Sequence, residues 1–357
     1  MYCYTPARRV VSEDPFKIED DYFSEANITP FQALAKAGPF GNGRVHVGYA
    51  MDNIYVPGDV LKPFYEMLRN EATGRAKVIT THTAGGPFQG SPPVSAAQIM
   101  ASHGLLGPDI LFSHANWPKD EDGKLYQQSG AMVSSTPNTE LQMGRAPVAL
   151  RKDHYHNASI GVDCHSWGVT SIPGQMRLLL QFARAEKGEN HTREGKWTRH
   201  TGFGPELVFN LGTIGGAKAA GLQNETGSLK EGFKADILVF DSDTPAMLAA
   251  ADEDPVAAIV MHSNPSDIEM VIIDGVIRKL GGKLVDVSVA AAPDESKSLV
   301  PAGQQLTWGQ IAKEVKESRL SLKERTKKVN MDSGEQFVID AFFVSTSNMV
   351  DEPDLGQ

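Results

Sequence analysis

Apolar residues fall in short β-branched runs, each followed by a stretch of helical period. "GRVHVGYAM" (Gly43–Met51) precedes "DVLKPFYEMLRNEA", and "AKVITTHTA" (Ala76–Ala84) precedes "SAAQIMASHGLL". "PDILFSHAN" (Pro108–Asn116) leads into a polar segment ending near Gln128, and "GAMVSSTP" (Gly130–Pro137) into "NTELQMGRAPVALRKD". "ASIGVDCHS" (Ala158–Ser166) leads into "GQMRLLLQFARAEKG", and "MYCY" (Met1–Tyr4) reads as one more strand, the sixth. The strands start about 20 to 35 residues apart, which is the spacing of βα units around a parallel sheet. No Gly-x-Gly-x-x-Gly turn follows the first strand, so a dinucleotide-binding fold has no support.

After Glu194 the pattern changes. "PELVFNLGTIGGAKAAGL" (Pro205–Leu222) has the small residues of a closely packed helix. "TGSLKEGFKADILVFD" and "IEMVIIDGVIRKLGGKLVDV" alternate apolar and polar positions and break at Gly and Asp-Gly, as antiparallel hairpins do. We expect a β module over about 223–287, a linker at "DESKSLVPAGQQ", a charged helix from Trp308 to about Lys328, and frayed final residues.

Composition narrows the classes of function. Of the 357 residues, 41% are hydrophobic and 22% charged, which is a globular balance. The net charge of −10 disfavours a nucleic-acid partner, because the phosphate backbone needs a basic face. No apolar run reaches the ~18 residues of a membrane span, and the N-terminus lacks a secretory signal pattern. Cys3 and Cys164 are the only cysteines, too few for a disulfide framework, so a cytoplasmic location is expected.

The chemistry sits at strand ends. Side chains alternate along a strand, and in parallel α/β barrels the C-terminal strand ends carry the site. Three strands would then deliver His82, His114 and Asp163 to one rim. Two imidazoles and a carboxylate suit Zn²⁺ or Fe²⁺, and a metal with an open position turns water into a nucleophile near neutral pH. Alternation turns Cys164 away from Asp163, so it reads as a small packed residue. His165 and Trp167 would line the pocket mouth as donor and stacking surface, with Asn116 as a further substrate contact. "HYH" (His154–His156) lies before the Asp163 strand, toward the opposite rim, and reads as a solvated loop pair.

"THTAGGP", "LFSHAN", "SSTPNTELQMG", "SIGVDCHSW", "LGTIGGAKAAGL", "GSLKEGFKADILVFD" and "MHSNPSDIEMVIIDGVIRK" resemble, in order, the later part of the amidohydrolase superfamily. The likeness covers about Met1 to Val287 and is nearest the cytosine deaminase and triazine hydrolase branch. It implies an incomplete (β/α)8 TIM-type barrel of about six βα units over 1–222. A small β-sandwich module over 223–287 and a partly helical C-terminal extension over 288–357 would follow. It also implies that His82 is the fifth-strand metal histidine, His114 the sixth-strand histidine, and Asp163 the eighth-strand aspartate that binds metal and attacking water.

Two marks of the family are missing. The His-x-His pair of the first barrel strand is absent, because the chain opens inside what resembles the third strand. The glutamate that deaminases of this branch carry three residues after the fifth-strand histidine is Gly85, which cannot carry a proton. Glu140 is the nearest replacement carboxylate, and a charge at a helix N-terminus is its other reading. The activity implied is hydrolysis of a non-peptide C–N bond in a small, cyclic or amidine-like substrate. The alternatives are a non-hydrolytic or metal-free member using His114, Asp163 and Glu140, and an inactive product of a late-starting reading frame. Open barrel edges would favour a homo-oligomer.

Overall fold

The computed structural model describes residues 2–6, 9–13, 15–19, 22–89, 93–291, 300–327, 329–341 and 343–350. Its first strand, β1 (Tyr2–Tyr4), is followed by a hairpin, β2 (Arg9–Glu13) and β3 (Phe16–Glu19), and by α1 (Glu25–Ala37). Five βα units follow: β4 (Val47–Ala50) with α2 (Gly58–Leu68), and β5 (Ile79–Ala84) with α3 (Ala96–Ser102). Next come β6 (Ile110–Asn116) with α4 (Asp122–Ser129), β7 (Met132–Ser135) with α5 (Pro137–Gln142), and β8 (Ala158–Ile160) with α6 (Ile172–Arg193).

Strands β1, β4, β5, β6, β7 and β8 form one six-stranded sheet in that order, with parallel pairing throughout. Chain order equals sheet order, as expected when every crossover is a short helical unit. Among the described residues β1 and β8 end the sheet, the two edges expected from the sequence. Apolar side chains explain the packing. Tyr49 and Phe112 from the strands, with Phe31, Leu61, Leu68 and Met100 from the helices, are fully buried in one core. Each such side chain contributes about 1.5–3 kcal/mol by leaving water. Helix starts are set by local chemistry: Ser95 and Gln98 close a capping box on α3, and Ser171 Oγ accepts from Gly174 N on α6.

Beyond the sheet, α7 (Pro205–Asn210), a π-helical turn (Leu211–Gly215) and α8 (Gly216–Ala219) run as one helical stretch against β8. Here a glycine is required. A Cβ on Gly215 would lie 2.8 Å from the Ala158 carbonyl oxygen. The next sheet is antiparallel and four-stranded, built from β9 (Ile237–Phe240), β10 (Ile268–Ile273), β11 (Val276–Leu280) and β12 (Lys283–Leu284). Between β9 and β10 lie α9 (Ala250–Glu253) and α10 (Pro255–Met261). Val260 of α10 joins Leu179, Val208 and Leu211 in a second apolar core. A short pair, β13 (Val287–Ser288) and β14 (Gln305–Leu306), precedes α11 (Trp308–Thr326) and α12 (Met331–Ala341). Half of the linker expected at "DESKSLVPAGQQ" and the last seven residues lie outside the described residues. No described helix is long and apolar enough to cross a membrane.

Helix α12 is not a frayed end. Phe337 packs on Phe16 of the β2–β3 hairpin with ring centroids 5.1 Å apart, and Phe16 N donates to Ser333 Oγ at 2.8 Å. The chain then returns to the turn after β5. Ser345 N donates to the Phe88 carbonyl at 2.8 Å, and Asn348 Nδ2 to the Pro87 carbonyl at 3.0 Å.

Candidate active site

The C-terminal ends of β5, β6 and β8 bring together His82, His114 and Asp163. One donor atom from each lies within 4.8 Å of the others, the single such group of potential metal ligands among the described residues. Tetrahedral ligands ~2.1 Å from one ion sit roughly 3.4 Å apart, so small side-chain rotations would close the set.

Each ligand is oriented by a neighbour. His82 N donates to Asp52 Oδ1 at 2.9 Å, and His82 Nδ1 lies 3.0 Å from Asp52 Oδ2. Asp52 follows β4, so the adjacent strand end holds the ring. Its hydrogen bond raises the His82 pKa above the ordinary imidazole value, with burial opposing and Asp163 assisting. His114 Nδ1 faces Thr136 Oγ1 at 2.9 Å and Glu140 Oε1 at 3.4 Å. With both Nδ1 atoms engaged, each ring has its Nε2 left for a metal. The rings stack with centroids 5.9 Å apart.

Backbone strain aims these side chains. His114, Ala115, Trp117 and Asp163 all have positive φ, at 71°, 52°, 52° and 59°. Residues with a Cβ resist that region, at a cost of order 1–3 kcal/mol each, and such strain concentrates at functional sites. At Gly86, φ is +94° and an added Cβ would lie 2.4 Å from Trp117 Cδ2. The second glycine of "HTAGGP" therefore seats the Trp117 ring.

Glu140 stands behind His114. It is 1% exposed, and neither carboxylate oxygen has a well-formed hydrogen bond in the protein, since His114 Nδ1 is closer to Thr136. Burial raises its pKa, with the nearby His114 ring and the Thr136 backbone opposing and Asp163 adding. Asn116 is buried, donates from Nδ2 to the Ala146 carbonyl at 2.8 Å, and lines a cavity of about 230 Å³ that none of the three ligand residues lines.

Several expectations need correction. Strand β8 stops at Ile160, so alternation does not extend to Asp163 and Cys164. Cys164 is exposed, not packed, and its Sγ lies 3.0 Å from Ser166 Oγ. His165 and Trp167 occupy an exposed 3₁₀ turn, and His165 does not join the ligand cluster. The Trp167 carbonyl accepts from Asn138 Nδ2 at 2.9 Å and from Gln142 Nε2, which ties this turn to α5. The HYH pair is not uniformly solvated. His154 is fully buried, with its ring 5.3 Å from Tyr126 and Nδ1 3.0 Å from Asp153 Oδ1. Burial lowers its pKa, so it reads as a neutral core imidazole.

Asp52 and Thr136 were not foreseen as site residues. Asp52 lies two residues past the end of β4, the strand beside the one that carries His82, and Thr136 is the residue before the proline that opens α5. Asp52→Asn should weaken zinc binding by about 10–100-fold in a chelator competition, because second-shell carboxylates fix ring orientation and basicity. The sign for stability follows from the raised His82 pKa. The stabilisation it brings is complete below the unfolded value, near pH 6.5, and is lost as pH rises through the higher folded value. Without metal, Asp52→Asn should therefore lower the melting temperature at pH 5.5 and change it little at pH 9. Equal losses at both pH values would reject the pairing.

The sequence model of the amidohydrolase family matches residues 64–278. A 5'-deoxyadenosine deaminase from Methanosarcina mazei is 30% identical over 177 residues, covering 49% of this chain and 38% of that protein. A 5-methylthioadenosine/S-adenosylhomocysteine deaminase from Acetivibrio thermocellus is 25% identical over 276 residues, covering 76% of this chain and 61% of that one. The chain thus spans less than two thirds of the length of either relative. Among solved structures, a zinc complex of atrazine chlorohydrolase from Arthrobacter aurescens superposes with TM-score 0.61 at 18% identity, covering 74% of this chain and 58% of its own. A zinc-bound adenosine deaminase from Xanthomonas campestris gives TM-score 0.61 at 16% identity with the same coverages. These likenesses establish the fold.

Proposed function

This chain belongs to the amidohydrolase family, and from that premise we propose that it is a metal-dependent aminohydrolase. It would cleave a non-peptide C–N bond in a small, cyclic, amidine-like substrate. One observation carries the reading: two imidazoles and one carboxylate, from three parallel strand ends, meet within 4.8 Å. His82, His114 and Asp163 would hold Zn²⁺ or Fe²⁺. The bound metal would supply Lewis acidity that polarises the substrate and lowers the pKa of water.

The protein's own groups supply the rest. Asp163 accepts a proton from the attacking water. Glu140, buried behind the ring with its Oε1 3.4 Å from His114 Nδ1, would tune the basicity of that ligand, and Asp163 would return the proton of the water to the leaving amine. Thr136 holds the His114 ring, and Asp52 the His82 ring. Asn116, and Trp167 and His165 at the rim, are the proposed substrate contacts. The relatives named as deaminases support the loss of an amino group, released as ammonia.

The test is ammonia release from a panel of aminopurines, aminopyrimidines and aminotriazines by zinc-loaded protein. The expected result is activity abolished by chelation and restored by zinc. Activity that persists after complete metal removal would instead favour metal-free acid–base chemistry at the His114–Glu140 pair.

A further inference from the structure

A buried cation beside the site has no role in this mechanism. Arg145 follows α5, is 8% exposed, and donates its backbone N–H to the Glu140 carbonyl at 2.7 Å. Its guanidinium carbon lies 5.2 Å from the Phe88 ring centroid and 5.8 Å from that of Trp117. Yet among the described residues the guanidinium makes no hydrogen bond and no ion pair. None of its nitrogens is a fully buried unsatisfied atom, so the guanidinium keeps a solvent-facing edge with no protein acceptor among the described residues, open to an anion that supplies one.

The surroundings are built around this group. Phe88 comes six residues after His82, and Trp117 three after His114, so both rings extend from the strand ends that carry metal-type ligands. Trp117 keeps its place through positive φ and through the absence of a side chain at Gly86. Phe88 is held from behind by the backbone of Ser345, and Pro87 by Asn348. Trp117 also lines, with Asn116, Gly85, Gly86 and Lys119, a cavity of about 230 Å³ that Arg145 and Phe88 do not themselves line. The one carboxylate lining that cavity, Asp122, already accepts from Ser95 Oγ and Lys119 N. Glu140 acts on Arg145 only through its field, against the effect of burial, and forms no ion pair with it.

Aromatic rings against a guanidinium leave its in-plane N–H edge to bind. That edge is a planar fork matched to a carboxylate, which it holds by two parallel hydrogen bonds. We infer that Arg145 is the specificity residue for a carboxylate carried by the substrate, flanked by Phe88 and Trp117 as stacking surfaces for a planar ring. This inference rests on the aminohydrolase reading for the word substrate. The anion site itself stands apart from that reading. It narrows the substrate class to small planar C–N compounds bearing a carboxylate.

Titration calorimetry of the full chain with benzoate and with benzamide, its neutral isostere, tests the site without any turnover. Benzoate should bind saturably, and benzamide at least about tenfold more weakly, as expected when a charge-assisted hydrogen bond is lost. Arg145→Met should reduce benzoate affinity by about tenfold or more, with a melting temperature near that of the parent. Arg145→Lys keeps the charge without the fork and should also weaken benzoate, which provides the decisive variant if the Met protein does not fold. Unchanged benzoate affinity in either folded variant, equal affinity for benzamide, or no saturable benzoate binding would overturn the proposal. The two readings fail separately. Arg145-dependent benzoate binding without ammonia release from any substrate would reject only the hydrolase. Ammonia release at equal kcat/KM from carboxylated and neutral substrates, unaltered by Arg145→Met, would reject only the anion site.

Discussion

Replacing Asp163 by Asn should abolish hydrolysis and strip the protein of tightly held zinc. The carboxylate is the only anionic member of the ligand cluster, and it is the group placed to accept the proton of the attacking water. The amide offers a neutral oxygen to the metal and no base to the water. Loss of the base alone is expected to slow turnover by about 10²–10⁴-fold. Loss of the anionic ligand reduces occupancy as well, so the two effects compound. Asp163 is exposed and makes no contact on which the core depends, so the melting temperature of the metal-free protein should hardly change. Retained zinc and retained activity in this variant would mean that the chemistry lies elsewhere.

Glu140→Gln should separate activity from stability. Turnover is expected to fall by about 10–100-fold, because the amide no longer tunes the basicity and orientation of the His114 ligand. Stability should move the other way. Burial raises the Glu140 pKa in the folded protein, so folding favours its protonated form. The stability this group contributes is present below the unfolded carboxyl value and falls as pH rises through the raised folded value. At pH 8 the buried carboxylate is a burden that glutamine removes, so the variant should melt at the same temperature or higher. At pH 4 the two proteins should melt alike. A variant that loses stability at pH 8 in proportion to its loss of activity would identify Glu140 as a structural anchor instead.

The βα periodicity in the sequence located each of the six parallel strands, and the strand-end rule selected the three residues that converge. That rule works because a parallel sheet fixes the direction of every strand. It failed where the strand itself ended. Alternation turned Cys164 away from Asp163 as a packed residue, but β8 stops at Ile160 and Asp163 turns through positive φ, leaving Cys164 in water. Side-chain identity gives only a weak signal of such a reversal, since Asp and His are enriched in the left-handed region yet adopt it at few of their positions. The burial of His154 was equally hidden, because its ring is enclosed by contacts such as Tyr126, 28 positions earlier in the chain. Asp52 and Arg145 were missed for a related reason. Each acts through partners on other loops, His82 in one case and Phe88 and Trp117 in the other, and only the folded chain brings them together. Gly86 did leave a trace, as half of a Gly-Gly pair, but its purpose depends on where Trp117 packs. The α12 contact with the β2–β3 hairpin was beyond local reading, since Phe16 and Phe337 stand at opposite ends of the chain.

The central claim is a single catalytic metal held by His82, His114 and Asp163. Zinc-edge anomalous diffraction from crystals of the zinc-loaded full chain tests it most directly. The account predicts one strong peak about 2.0–2.2 Å from a nitrogen of each histidine and from an oxygen of Asp163, absent from crystals of Asp163→Asn. A peak at other residues, or no peak from protein shown in solution to carry one equivalent of zinc, would contradict it.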